Sequence, residues 1–348
     1  MRTLYLIRHA MPDIPLGERW CVGGRSDFPL GAIGRLQAAL LPFAPELRDV
    51  TAVYCSALTR ARQTAAALCA APTVVPGLEE QDMGEWDGLS FAAIREKFPA
   101  LYTAREKDPT LMPAGAENES EVRARMETAL RRILAESEGE LAAVSHKGAI
   151  ASLLGSREGL EYTSLTRLRF EGERLLSFEL LGAPRPALTD EVCEALLSAA
   201  GADEALRAHC RAVAALADEL GEALREKGAP LDADALHAAA LLHDIARGEP
   251  DHAARGARRL GALGYPGIAE IVRQHHELES AALDEAAVVY LADKAVRGAR
   301  RVPIDERFAA SAAKCTTPEA IEAHARRYAA ARKWRDEINR LCGAELIR

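Results

Sequence analysis

The run Leu4-Tyr5-Leu6-Ile7-Arg8-His9 constrains this chain more than any other stretch, because an apolar segment halts abruptly on an arginine and a histidine. A short continuous apolar run reads as a strand buried on both faces. In an open parallel sheet, ligands collect in the crevice at the carboxyl ends of the strands. Such a strand delivers Arg8 and His9 to that crevice. Val144-Ser145-His146-Lys147-Gly148 repeats the arrangement, a second strand ending on a histidine.

The surroundings fit an α/β sheet covered on both faces. Residues 3–7, 51–56, 73–75 and 140–145 read as strands, and 34–47, 58–70 and 120–136 as helices. Residues 165–170 and 174–180 flank Glu171-Gly172-Glu173 and predict a closing hairpin. Gly182-Ala183-Pro184-Arg185-Pro186 can continue neither strand nor helix, and 348 residues exceed what one core usually supports. The expectation is a domain over 1–183 and a second over 184–348. The second is Ala- and Leu-rich with helical spacing throughout and shows no convincing strand, which predicts an all-α domain. The basic stretch at 326–335 reads as the solvated face of a terminal helix.

A formal net charge of −8 argues against nucleic acid as a partner and leaves small anionic substrates. Seven scattered cysteines, never spaced C-x-x-C, read as reduced thiols. There is no basic-then-apolar leader and no apolar stretch near the roughly 20 residues a bilayer demands, so a cytoplasmic, membrane-free protein is expected. A homodimer is left open.

In the first domain, Ser56-Ala57-Leu58-Thr59-Arg60-Ala61-Arg62-Gln63-Thr64-Ala65 puts an arginine at a strand-to-helix turn, and Leu78-Glu79-Glu80-Gln81-Asp82-Met83-Gly84-Glu85-Trp86-Asp87-Gly88 offers carboxylates in a Gly-punctuated loop. With Arg8, His9 and His146 they form a coherent phosphoryl-transfer set. Arginine's planar fork matches phosphate oxygens, and a neutral imidazole is a competent nucleophile toward phosphorus. A carboxylic acid must protonate the departing oxygen.

Over residues 1–182 these motifs resemble the histidine phosphatase superfamily, the phosphoglycerate-mutase-like proteins. The resemblance implies a three-layer α/β fold with a mostly parallel sheet and no cofactor in this domain. It casts His9 as the nucleophile that becomes phosphohistidine and Glu80 as proton donor, with Arg8, Arg60 and His146 holding the phosphoryl group. The chain departs from the family at Ala10-Met11-Pro12-Asp13, where Gly-x-Thr and an asparagine are common. Trp20 to Leu30 resembles the loop of the short phosphatase branch, in which Arg25 either touches the leaving group or is a surface arginine.

In the second domain, Leu206, His209, Val213, Leu216, Leu220 and Leu224 recur at spacings of three and four, so His209 points inward with the leucines. Leu236, Ala239 and His243 do the same ahead of Asp244, as do Ile268, Val272 and His275 beside His276, and Val289, Asp293 and Val296. Several inward histidines and two inward aspartates are hard to satisfy except by metal. Imidazoles with carboxylates suit manganese, iron or cobalt. The order His209, His243-Asp244, Asp293 resembles the HD superfamily of metal-dependent phosphohydrolases. His252, His275 and His276 fall where some branches carry ligands for a second ion, so either one or two ions are implied. Arg247 and Lys294 are candidate phosphate contacts, and His237 and His324 are structural.

The expected function is a bifunctional phosphohydrolase: a phosphomonoesterase of a small phosphorylated metabolite joined to an HD hydrolase of a nucleotide or related phosphoester or phosphoanhydride. The alternative makes the HD domain a nucleotide sensor that regulates the phosphatase.

Overall fold

Strand β1 (Arg2–Arg8) is an interior strand of a six-stranded sheet in the computed structural model of the chain, which describes residues 1–15 and 17–348. Its side chains alternate between two cores. Leu4 and Leu6 pack on one face with Val122, Met126 and Ile133, while Tyr5 and Ile7 pack on the other with Leu41 and Ala61. Burial on both faces is why the run is apolar without interruption.

Chain order continues with α1 (Ala32–Leu40), β2 (Val50–Cys55), α2 (Thr59–Ala65), β3 (Thr73–Val74), α3 (Phe91–Lys97), α4 (Pro99–Lys107), α5 (Glu119–Glu136), β4 (Glu140–Ser145), α6 (Lys147–Leu154), β5 (Leu165–Glu171) and β6 (Arg174–Gly182). The sheet order is β3-β2-β4-β1-β5-β6. β1 and β2 both pair parallel with β4, and β5 and β6 add antiparallel to the β1 side. The expected helix over 34–47 stops at Leu40 and gives way to two 3₁₀ turns at Leu41–Phe43 and Pro45–Leu47, because Pro42 and Pro45 cannot donate to an α-helical ladder. Helices α3 and α4 escaped the periodicity reading, being short and separated at Phe98-Pro99.

The chain divides into compact units at Met1–Pro186 and Ala187–Arg348. The second unit holds α7 (Asp190–Ala199), α8 (Glu204–Glu226), α9 (Ala233–Leu242), α10 (His252–Ala262), α11 (Pro266–Gln274), α12 (Glu285–Lys294), α13 (Ile304–Ala312) and α14 (Pro318–Cys342). It is mostly helical, with one correction to the all-helical expectation: β7 (Val296–Arg297) and β8 (Arg300–Arg301) form a minimal antiparallel ladder. Gly298, at φ +59°, takes the left-handed turn that two-residue strands require. The basic stretch on α14 is also not purely solvated. Ala331 and Trp334 are buried, and Arg327 pairs with Glu277 at 2.9 Å. No helix among the described residues is long and apolar enough to cross a membrane.

Candidate active sites

In the first unit the carboxyl ends of β1 and β4 bring His9 and His146 together, with ring centroids 4.9 Å apart. His9 is buried, and its Nδ1–H donates to its neighbour's carbonyl, Ala10 O, at 2.7 Å, which leaves the Nε2 lone pair available. Burial and then the positive charge of Arg60 lower the His9 pKa well below the ordinary histidine value, so the ring stays neutral. His146 is lowered well below the ordinary value too, by burial and then by His9 and Arg60. Ser56 accepts from the Leu58 N–H at 3.2 Å and lies 2.9 Å from His146 Nε2. A hydroxyl both donates and accepts, so this contact suits either tautomer of His146, whose Nδ1 has no protein partner.

The arginines are fixed from behind. Arg60, fully buried, donates from Nη1 to Ser26 O at 2.5 Å and from Nη2 to Gly23 O at 3.1 Å. Arg8 donates from Nη1 to Leu160 O at 2.8 Å, and its guanidinium lies 3.8 Å from the centroid of the Tyr162 ring. The segment carrying Tyr162 is pinned to Arg8 by two main-chain bonds, Thr163 N to Arg8 O at 3.0 Å and Arg8 N to Ser164 O at 3.1 Å. Thr163 adopts φ +59°, a strained conformation for a β-branched residue that holds the tyrosine over the arginine. Two buried donors, Arg8 Nε and Arg60 Nε, have no protein acceptor, and His146 Nδ1 has no partner. Buried donors are rarely left so unless a ligand completes them.

Glu80 lies at the start of α6. Its Oε1 accepts from Gln81 N at 2.9 Å and Ala149 N at 3.0 Å, and its Oε2 accepts from Gly148 N at 3.1 Å. A Cβ on Gly148 would come within 2.5 Å of Oε1, so glycine is what lets the carboxylate approach. Arg8, His9, Glu80 and Tyr162 line a cavity of about 460 Å³. Arg25 does not line it. Its Nε bonds to Asp82 and its Nη2 to Gly115 O, both at 2.9 Å, so it braces the loop, the surface alternative of the two open in sequence. Asp82 and Asp87 are likewise loop fasteners, Asp87 accepting from Gly23 N and Arg25 N.

In the second unit α8, α9, α11 and α12 converge their inward residues. His209 donates from Nδ1 to Gly298 O at 2.9 Å, His243 to Ala240 O at 2.8 Å, and His275 to Val272 O at 2.7 Å. Each bond fixes a tautomer and turns the Nε2 lone pair toward the cluster, as a main-chain acceptor does for a histidine that binds metal through its other nitrogen. His209 Nε2 lies 3.3 Å from Asp293 Oδ1 and 3.9 Å from Asp244 Oδ2. Two groups could each hold a metal ion, His209–His243–Asp244 and Asp244–His252–His275, and they share Asp244. His252 Nε2 and His275 Nε2 approach to 3.2 Å, and His243 Nε2, Asp244 Oδ1 and Asp293 Oδ1 are buried without a hydrogen-bond partner. Orphaned acceptors converging at these distances fit a cation.

Burial alone would raise both carboxyls. The charge and hydrogen bonds of His243 and His275 at Asp244, and of Lys294, His209 and His243 at Asp293, together outweigh it, so both are held well below the carboxylate range. Burial likewise opposes protonation of His243, but Asp244 raises its pKa on balance, so proton and metal compete for Nε2. His276 lies in neither group. Its Nδ1 is 3.4 Å from Arg327 Nη1, and burial followed by Lys294 lowers it to about 3. Lys294 donates from Nζ to Asp293 at 2.7 Å and to His275 O at 3.1 Å, which makes it a brace for a candidate ligand. Arg247 bonds to Asp244 and lines a cavity of about 480 Å³ beside the cluster. His237 sits between Asp218 and Asp190, and His324 lies 2.8 Å from Ser311 Oγ.

Ser56 was within reach of sequence, since it opens the motif containing Arg60. Tyr162 and Gly298 were not, because their roles depend on backbone turns that bring distant segments together.

The histidine phosphatase superfamily (branch 1) model matches residues 4–181, and the HD domain model matches residues 206–298. Among curated proteins, glucosyl-3-phosphoglycerate phosphatase of Mycobacterium tuberculosis is 30% identical over 165 residues, covering 44% of this chain and 73% of that one. Bifunctional protein Rv2228c of the same species is 32% identical over 157 residues, 43% of each chain. Metal-independent phosphoserine phosphatase of Arabidopsis thaliana is 31% identical over 160 residues, 43% of this chain and 66% of that one.

Proposed function

Because this chain belongs to the histidine phosphatase superfamily and carries an HD domain in its second half, we propose that it is a bifunctional phosphohydrolase. The phosphatase domain, residues 1–183, hydrolyses a small phosphomonoester, and the HD domain, residues 184–348, hydrolyses a nucleotide or related phosphoester or phosphoanhydride. The observation that carries the first assignment is the pair of acceptorless donors, Arg8 Nε and Arg60 Nε, beside the unpartnered His146 Nδ1 and a neutral His9. Non-bridging phosphoryl oxygens would accept from both arginines, and from His146 in the tautomer that carries its proton on Nδ1.

In the first half-reaction His9 Nε2 attacks phosphorus and the P–O bond to the alcohol breaks. Glu80, in its carboxylic acid form, gives its proton to the departing oxygen. In the second, the Glu80 carboxylate takes a proton from water as that water attacks the phosphohistidine. Inorganic phosphate leaves and His9 is restored. Relatives named for glucosyl-3-phosphoglycerate and phosphoserine support a small phosphorylated metabolite as substrate.

In the HD domain His209, His243, Asp244 and Asp293 would hold a divalent transition ion, manganese, iron or cobalt. His252 and His275 would hold a second through the shared Asp244. Such ions, when bound, act as Lewis acids on a phosphoryl group and activate water. The chain's own part is to present three tautomer-fixed imidazoles and to place Arg247 where it can meet substrate phosphate. The test of the first assignment is to mix enzyme and a ³²P-labelled monoester in chelator, quench in alkali and map the label. Label on His9 supports the reading; turnover with no acid-labile, alkali-stable phosphoenzyme refutes it.

A further inference from the structure

Phosphoryl transfer leaves four of the five cations lining the first cavity without a task. Arg19, Arg105, Lys147 and Arg157 line it together with Arg8, whereas Glu80 is the one carboxylate lining it among the described residues, and that carboxylate is held by main-chain donors. None of the four makes an ion pair among the described residues. Arg19 and Arg157 are exposed to solvent, whereas Arg105 and Lys147 are half-buried. Burial, and then the like charge of Arg157, lowers the Arg105 pKa, while burial, Arg8 and Arg157 lower that of Lys147. Like charges gathered in a partly desolvated pocket repel one another, and an anion among them relieves the repulsion.

Two further groups lack partners in the same place. Trp20 and Trp86 line the cavity, and both indole N–H groups are buried with no acceptor. Trp86 is 3% exposed and lies under Arg105, whose guanidinium carbon is 5.7 Å from the ring centroid. Arg105 is anchored by bonds from Nη1 to Leu111 O and, at 2.7 Å, to Met112 Sδ. Arg105 and Arg157 also line an adjoining cavity of about 710 Å³, so the cation pair stands where the two spaces meet.

We infer that this cavity contains a second anion subsite, built on Arg105 and Arg157 with the indole N–H groups of Trp20 and Trp86. It takes a carboxylate or a second phosphate carried by the leaving group. The substrate is therefore a phosphomonoester whose alcohol portion bears its own negative charge. This rests on the phosphatase reading of His9. The second anion does not react: the P–O bond breaks to His9 Nε2, the Glu80 proton goes to the leaving oxygen, and the charged alcohol departs intact. Its work is to orient the ester, so it acts on kcat/KM.

Two matched pairs of esters test this in chelator: phosphoglycolate against ethyl phosphate for a carboxylate, and 1,3-propanediol bisphosphate against propyl phosphate for a second phosphate. In wild type, kcat/KM for the charged member of at least one pair should exceed its neutral counterpart by about tenfold or more, the scale of one or two charge-assisted hydrogen bonds. The pair with the larger ratio identifies the group. In Arg105→Gln and in Arg157→Gln, each checked for folding by circular dichroism and thermal melting, the ratio should collapse to within about threefold. Ratios near one for both pairs in wild type would overturn the subsite without recourse to any variant, as would a ratio that survives the double substitution. Absence of His9-dependent turnover of all four esters would instead overturn the phosphatase reading, and the subsite with it.

Discussion

The two candidate sites are opposites in what they leave unsatisfied. The cluster at the ends of β1 and β4 buries donors without acceptors, Arg8 Nε and Arg60 Nε. The cluster between the HD helices buries atoms with lone pairs, His243 Nε2, Asp244 Oδ1 and Asp293 Oδ1. Both contain buried histidines whose Nδ1 is fixed by a main-chain carbonyl, as at His9 and His243, so histidine content does not distinguish them. Their companions do. Burial disfavours the charged form of both; beside it arginines lower the His9 pKa further, whereas Asp244 turns the balance at His243 upward. The sign of the unmet groups reads out the ligand, an anion in one place and a cation in the other.

The largest test of that contrast removes the nucleophile. His9→Ala should lower chelator-resistant phosphatase activity by about 10⁴-fold or more, the scale seen when a covalent nucleophile is deleted. Bound metal should be unchanged, measured by elemental analysis. Loss of metal alongside activity would mean the two clusters are not the independent sites described here.

Asp244→Asn attacks the other side. Asp244 is common to both groups able to hold an ion, so its loss should empty both and leave phosphomonoester turnover at the His9 site within about twofold. Wild type should carry close to two ions per chain if His252 and His275 serve a second site, and one if they do not. Adding the metal back to His9→Ala then asks whether nucleotides are hydrolysed. Binding without turnover would make the HD domain a sensor, the alternative left open by its ligands.

Much of this contrast was legible in the sequence. An uninterrupted apolar run ending in Arg-His, and helical spacing that turned His209, His243, His275 and Asp293 inward, sufficed because local periodicity fixes which way a side chain faces. What sequence did not disclose depends on contacts between distant segments. Arg25 looked free to meet substrate, but Asp82 and Gly115 hold it. Lys294 looked like a phosphate contact, but it braces Asp293 and His275. Nothing in Glu161-Tyr162-Thr163 announces that a left-handed threonine lays an aromatic ring over Arg8.

That ring supplies a smaller test. Tyr162→Ala should raise KM for a simple aryl phosphate and the inhibition constant of inorganic phosphate together, each by about fivefold to tenfold, as expected for losing a partly desolvated cation–π contact. Combined with Arg8→Ala the losses should be far from additive, since the tyrosine acts through the arginine. Additive losses would place Tyr162 in direct contact with substrate instead.

The smallest effect is expected away from both clusters, where a histidine is satisfied on both sides. His237 Nδ1 lies 2.8 Å from Asp218 and Nε2 2.7 Å from Asp190, tying α9 to α8 and to the first turn of α7. Burial alone would lower its pKa, but Asp218 and then Asp190 outweigh it and raise the folded value above the ordinary 6.5. A raised folded pKa contributes stability that is fully present below the unfolded value and fades as pH climbs through the folded one. The group is substantially exposed to solvent, so screening limits the contribution to about 0.5–1 kcal/mol. Urea unfolding of wild type and His237→Gln should therefore differ most near pH 6 and converge toward pH 9. A gap that stays constant across that range would show that His237 stabilises the helices through packing rather than through charge.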